Sequence, residues 1–235
     1  MDFASFSVRG GREINEDAIE IVFSHNGLCA LVADGLGGQG HGDIASKNAV
    51  KCISEAFLKN PSADEQIINK YFDKANKEAL ERNRGKENTL TTVVGLFYVL
   101  GKATIAHVGD SRLYHFNNGK IVSRTTDHSV AQLAVKLGEI SEDEIRNHPD
   151  RGRILRAIGL KDSCQVEINS EYLSSGFNAF LLCSDGFWEY VLENEMEIDL
   201  AKSDTAFDWM EHLKQRIRAK APDDCDNCSA IMIFI

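Results

Sequence analysis

The chain has 235 residues, a formal net charge of −10 and an apolar fraction of 43%. That length and apolar content suit a globular protein that buries a core of its own, and the acidic balance argues against nucleic acid or an anionic membrane as the main partner. No apolar run approaches the ~20 residues of a membrane span, and the mixed, charged first residues lack the pattern of a secretory leader, so a cytoplasmic protein is expected.

The six cysteines fit a reduced compartment. Cys29 and Cys183 lie in apolar runs and read as core. Cys225 and Cys228 form Cys-x-x-Cys, but no second close Cys or His pair completes a zinc set.

In chain order, residues 3–8 alternate apolar and polar and read as a strand. A polar loop over residues 10–17 follows. Runs 19–24 and 28–33 flank Asn26-Gly27, a hairpin signal. Asp43 is placed to cap a helix through Ala45, Ala49, Cys52, Ile53 and Ala56, which Asn60-Pro61 ends. A second helix is expected over residues 63–82, with Ile68, Tyr71, Phe72, Ala75, Ala79 and Leu80 on one face. Runs 91–100 and 102–108 are strands joined at Gly101, and runs 112–116 and 120–122 flank Asn118-Gly119. Residues 129–161 turn short, helical and charged and read as an insertion riding on the sheets. Runs 166–168, 179–183 and 230–235 supply further strands. Between the last two lies a helix over residues 205–220, with Phe207, Met210, Leu213 and Ile217 inward. Hairpin-linked strands and paired helices favour antiparallel sheets covered by helices, an α+β fold, over alternating βαβ units.

Four aspartates stand at strand ends. Asp34-Gly35 and Asp185-Gly186 each close an apolar run, Asp110 sits between two strands, and Asp226 precedes the last strand. In antiparallel sheets the end of one strand and the start of its neighbour share an edge, so the four can converge on one rim. Oxygen ligands of this kind suit magnesium or manganese. Residues 35–40 also fit G-x-G-x-x-G, with Glu55 at the spacing of a ribose-binding acid. A dinucleotide reading fails, because Asp34 would sit beside the pyrophosphate and Glu55 falls inside a helix. Arg12 lies among Asn15, Glu16 and Asp17 and offers a guanidinium fork for a phosphate. His107 and His115 read as structural, His148 as a turn residue or a substrate contact, and Lys102 and Arg124 as solvated.

Taken together, Arg12, Asn15, Glu16 and Asp17; Asp34-Gly35-Leu36-Gly37-Gly38; Thr91-Thr92; Gly109-Asp110-Ser111-Arg112; Asp127-His128-Ser129; Ser184-Asp185-Gly186; and Asp226-Asn227 occur in the order of the type 2C, or PPM, protein phosphatase family, which the chain resembles over nearly its whole length. The resemblance implies a four-layer α-β-β-α sandwich and one catalytic domain over residues 1–235, with residues 129–161 as its flap. It implies two Mn²⁺ or Mg²⁺ ions, with a third as in bacterial relatives. Asp34 would bridge two ions, the Gly35 carbonyl would bind one, and Asp185 and Asp226 the other. Glu16 would hold metal-bound water, Asp17 would support the ligands, Asp110 would join Asp185 around the third ion, and Arg12 would bind the substrate phosphate. Phosphorylated Ser/Thr proteins would be the substrates, a cognate kinase or its targets the partners, and the chain a monomer. Leu36 replaces the His found there in many animal members, which leaves the general acid open; His41 lies in the same loop. The rival readings are a catalytically silent binding module of the same fold and a two-metal hydrolase of small phosphate esters.

Overall fold

A computed structural model describes residues 1–37, 41–84 and 90–235. Its elements in order are β1 (Asp2–Val8), β2 (Asp17–Ser24), β3 (Gly27–Asp34), α1 (Gly42–Lys59), α2 (Glu65–Arg84), β4 (Val93–Val99), β5 (Lys102–Val108), β6 (Arg112–Asn117), β7 (Lys120–Arg124), α3 (Val130–Lys136), a 3₁₀ turn (Glu142–Asn147), β8 (Glu167–Tyr172), β9 (Asn178–Cys183), α4 (Asp185–Trp188), α5 (Glu193–Leu200), α6 (Ala206–Lys220) and β10 (Cys228–Phe234). The strands form two five-stranded sheets, ordered β1-β10-β9-β6-β7 and β2-β3-β4-β5-β8. All pairings are antiparallel.

The central strands are apolar on both faces because both faces are covered. In β3, Leu28, Ala30 and Val32 point into the layer between the sheets, where they meet Phe180, Leu182, Ile231 and Ile233. Cys29, Leu31 and Ala33 point the other way, onto Ile53 and Phe57 of α1 and Phe72 of α2. On the far side, Leu181 of β9 and Met232 of β10 pack on Met196 of α5 and Trp209 and Leu213 of α6. Three apolar layers therefore separate four layers of structure, an α-β-β-α sandwich of the α+β class.

Several local expectations shift. The Asn118-Gly119 turn forms with both residues at positive φ (48° and 81°), as a tight hairpin requires. The earlier hairpin turns one residue sooner, on His25-Asn26, and Gly27 already pairs with Ser24. Asp43 does not cap α1; it lies in the first turn and pairs with Lys47 at 2.9 Å. Phe207 is 58% exposed, while Trp209 is fully buried. The larger indole takes the inward position, against Phe116 and Phe234, and its N–H reaches the Met196 carbonyl at 3.1 Å. Helix α5 was not anticipated, because its run of acids masks the spacing of Met196 and Leu200. Arg124 is not solvated but paired with Glu142. No helix among the described residues is long and apolar enough to cross a membrane.

One buried ion pair joins the start of β6 to the segment that follows β7. Arg112 donates from Nε to Asp127 Oδ1 (2.8 Å) and from Nη2 to Oδ2 (2.6 Å), with both side chains 1% exposed. The guanidinium stacks 3.7 Å over Trp188. Removing one member of such a pair leaves an uncompensated buried charge, which costs about 3–5 kcal/mol. Asp127→Ala should therefore lower unfolding stability in urea by that amount; a loss below about 1 kcal/mol, the scale of a surface pair, would contradict the burial argument.

Candidate metal centre

The site grows from the pairing of β2 with β3. Asp17 opens one strand and Asp34 ends the other, directly opposite in register. Asp34 is held by its backbone: its N–H donates to Thr92 Oγ1 at 3.1 Å, and its carbonyl accepts from Thr92 N–H and Thr91 Oγ1, each at 2.8 Å. The Thr91-Thr92 pair thus has a definite task, fixing the end of β3. Asp185 heads α4 at the end of β9. The preceding Ser184 donates its hydroxyl to Asp17 Oδ2 at 2.8 Å, which ties the two sheets together behind the aspartates.

Asp226 arrives from the start of β10. Arg12 Nη2 donates to its Oδ2 at 2.7 Å. Asn227 next to it was quoted in sequence without a role, yet it organises the loop. Its Oδ1 accepts from Glu16 N–H (2.8 Å), and its Nδ2 donates to the carbonyls of Arg9 (2.7 Å) and Ile14 (3.0 Å). Its neighbour Asp226 lends Arg12 a carboxylate, so one dipeptide fixes both the loop and its guanidinium.

Arg12, Glu16, Asp34, Gly35, Asp185 and Asp226 line one cleft of ≈ 470 Å³, which Gly152 also borders. Asp17 and Asp110 stand behind the cleft and are buried. The glycine loop also finds its reason here. A Cβ on Gly37 would lie 1.8 Å from Glu16 Oε1, so the loop must be bare where the Glu16 carboxylate passes. The G-x-G-x-x-G reading extends over residues 38–40, which lie outside the described residues. His41 precedes α1 and is not among the described residues that line the cleft. His148 accepts the Asp150 N–H on Nδ1 at 3.1 Å, which makes it a turn residue. Cys228 is buried and Cys225 half-buried.

The electrostatics are those of acids held together against their repulsion. Burial, then the charges of Asp185, Asp17, Asp110 and Asp226, hold the Asp34 carboxyl well above the usual range. Burial and then Asp185 do the same to Asp110. Asp17 is raised to about 7 and Asp185 to about 6, burial again being the main cause. Asp17 Oδ1 and Asp185 Oδ1 are buried without a hydrogen-bond partner. Unpartnered buried carboxylate oxygens, packed with other acids and facing a cleft, fit hard divalent cations, which take all-oxygen ligand sets.

Comparison with known proteins points the same way. The sequence profile of the family described as Protein phosphatase 2C matches residues 7–226. The chain is 34% identical over 181 residues to the serine/threonine phosphatase stp of Listeria welshimeri, covering 74% of this chain and 71% of that one. Its fold superposes on the serine/threonine phosphatase Stp1 from Staphylococcus aureus with a TM-score of 0.90 at 27% identity, over 100% of this chain and 95% of that one. The catalytic domain of serine threonine protein phosphatase PstP in complex with 2 manganese ions shares the fold, with a TM-score of 0.80 at 22% identity, over 99% and 97% of the two chains.

A pH dependence follows for the metal-free protein. Asp17 and Asp185, at about 7 and about 6, lie above the ~3.9 of an unfolded aspartate. Between those values the folded state binds more protons than the unfolded one, so stability falls as pH rises from about 4 to 7. The lowered pKa values of buried His107 and His128 act in the opposite sense, but two imidazoles face four raised carboxyls. In chelator, the melting temperature should be higher near pH 5.5 than near pH 7.5, with a shallower slope in Asp185→Asn. Calorimetry across that range checks it, and an equal slope in the variant contradicts it.

Proposed function

The chain belongs to the protein phosphatase 2C family, and on that premise we propose that it is a metal-dependent protein phosphatase that hydrolyses phosphoserine and phosphothreonine by direct attack of water. The observation that carries this reading is the meeting of Asp34, Asp185 and Asp226, from three distant segments, in one cleft with Arg12 on its rim.

In this reading Asp34, the Gly35 carbonyl, Asp185 and Asp226 would hold two Mn²⁺ or Mg²⁺ ions, with Asp34 shared between them. Glu16 would orient water at the cleft, Asp17 would support Asp34 from behind, and Asp110 with Asp185 would hold a third ion. The ion count follows the family resemblance and has a parallel in the PstP domain with 2 manganese ions. When bound, two such ions lower the pKa of a shared water and clamp the attacking and leaving oxygens for in-line displacement. Arg12, 58% exposed at its side chain, turns from Asp226 to the incoming phosphate and gives it a bidentate, charge-assisted contact. With water as the attacking group no side-chain nucleophile is needed, and the carboxylates of the cleft serve the ions, so in this reading the reaction passes through no phosphoenzyme. Leu36 has no proton to give, so in this reading solvent protonates the departing Ser or Thr alkoxide oxygen.

The whole chain, residues 1–235, then serves as one catalytic domain. Residues 129–161 form its flap, a role supported by Gly152 at the cleft wall. Substrates are phosphorylated proteins, among them a cognate kinase or its targets, met in the cytoplasm by a monomer.

With Mn²⁺, the protein should release phosphate from a phosphothreonine peptide, and chelator should stop it. Asp34→Ala should lower kcat by at least ~10²-fold, since the ions supply several kcal/mol of the barrier reduction. Near-normal turnover in that variant would sink the proposal. Arg12→Ala should reduce kcat/KM by at least ~10-fold, since each of the two hydrogen bonds it would give the phosphate is worth about 1.5–3 kcal/mol.

A further inference from the structure

The strip Asp127-His128-Ser129 does not line the cleft, yet it touches the backbone that carries Asp110. Gly109 sits at φ +105°, and a Cβ there would lie 2.5 Å from Thr92. Its N–H donates to His128 Nδ1 at 3.2 Å, and its carbonyl accepts from His128 N–H at 2.9 Å. The next carbonyl, that of Asp110, accepts from Trp188 Nε1 at 2.9 Å. The peptide groups on both sides of the Asp110 Cα are therefore held, one by His128 and one by Trp188.

We infer that His128 is a positioning residue, which clamps Gly109 through two hydrogen bonds and so aims the Asp110 carboxylate at the metal centre. The inference rests on the metal-dependent reading above. A positioning group must itself be rigid, and His128 is. Its ring stacks on His107 at 4.6 Å and 8°, and His107 Nε2–H donates to the Thr126 carbonyl at 2.8 Å. Its carbonyl accepts from Leu155 N–H at 2.7 Å. On either side, Asp127 is locked to Arg112 and Ser129 caps α3 at Gln132 N–H.

The chemistry of the ring agrees. A backbone N–H donates to Nδ1, which assigns the proton of the neutral imidazole to Nε2, where it faces Glu167 Oε2 at 3.4 Å and leaves Arg156 Nη1, 3.1 Å away, as a charge beside the ring and not a donor to it. Burial, then His107 and Arg156, lower its pKa to about 4, so the accepting lone pair persists at neutral pH. His107, His128 and Glu167 are close enough together to suggest a metal site of their own. They do not serve as one here: the His128 Nδ1 lone pair is already engaged by Gly109 N–H, Nε2 carries the proton, and the fixed positive charge of Arg156 Nη1 lies 3.1 Å from it.

The test is Mn²⁺ titration of the folded protein by calorimetry, with hydrogen exchange at the Gly109 amide as a metal-free readout. Asn carries an acceptor where Nδ1 stands, whereas Gln places it further out and Leu has none. His128→Leu and His128→Gln should weaken the most weakly bound Mn²⁺ by about 10- to 100-fold, the usual effect of losing a group that orients a ligand. The tighter ions should bind as before, and the Gly109 amide should exchange faster. His128→Asn should restore both. Added to Asp110→Asn, the Leu change should cost no further affinity. If Leu does not fold, the contrast of Asn with Gln decides. Equal affinities in Asn and Gln, wild-type binding in folded Leu, or additivity with Asp110→Asn overturns the inference alone. A wild-type protein that binds no Mn²⁺ overturns the metal-centre reading and this inference with it.

Discussion

Like charges forced together govern this molecule. Asp17, Asp34, Asp110 and Asp185 lie close enough, and deep enough, that each is raised by burial and by its neighbours. A flexible chain would relieve that by letting the carboxylates splay into water. Here each is held at or near a strand or helix end by hydrogen bonds to it or to the backbone around it. Thr92 holds Asp34, Ser184 holds Asp17, and Trp188 with His128 holds the segment around Asp110. The unfavourable cluster persists because the sandwich around it is stiffer than the repulsion is strong, and cations are the natural relief.

The stiffness comes from the layering. Every central strand has one face in the layer between the sheets and the other under a helix pair. A strand buried on both sides cannot shift by one residue without turning its entire side-chain pattern over. That register lock is transmitted to the strand ends, where the acids are. The two sheets also meet at the site: Asp17 and Asp34 belong to one, Asp185 and Asp226 to the other, and the Ser184 hydroxyl on Asp17 spans the gap. The cleft is thus the place where both sheets end, and any slippage of one against the other would pull the acids apart.

Much of this was legible in the chain. Apolar runs bounded by Asn118-Gly119 and Asn60-Pro61 marked strands and helix ends, and Asp-Gly after a strand marked the cleft. The failures share a cause. Phe207 and Trp209 compete for one inward position, and the choice depends on Phe116 and Phe234, far away in sequence. In α5 the buried apolar residues are only Met196 and Leu200, hidden among acids whose Arg216 and Lys220 partners are remote. Asn227 and His128 carried no chemical signal of their own. Their importance lies in backbone groups they satisfy, Glu16 and Gly109, which no local pattern encodes.

By itself the sequence determined most of the strands and the long helices, that the sheets are covered by helices, and which acids stand at strand ends, because those properties follow from side-chain period and turn chemistry within a few residues. Only the tertiary structure decided that Asp34, Asp185 and Asp226 share one cleft, that Arg12 rests on Asp226, and that Asp17 and Asp110 stand buried behind it. The reason is physical: register across two sheets, and the hydrogen bonds that close on a remote backbone, are set by contacts between residues that the chain brings together only when it folds.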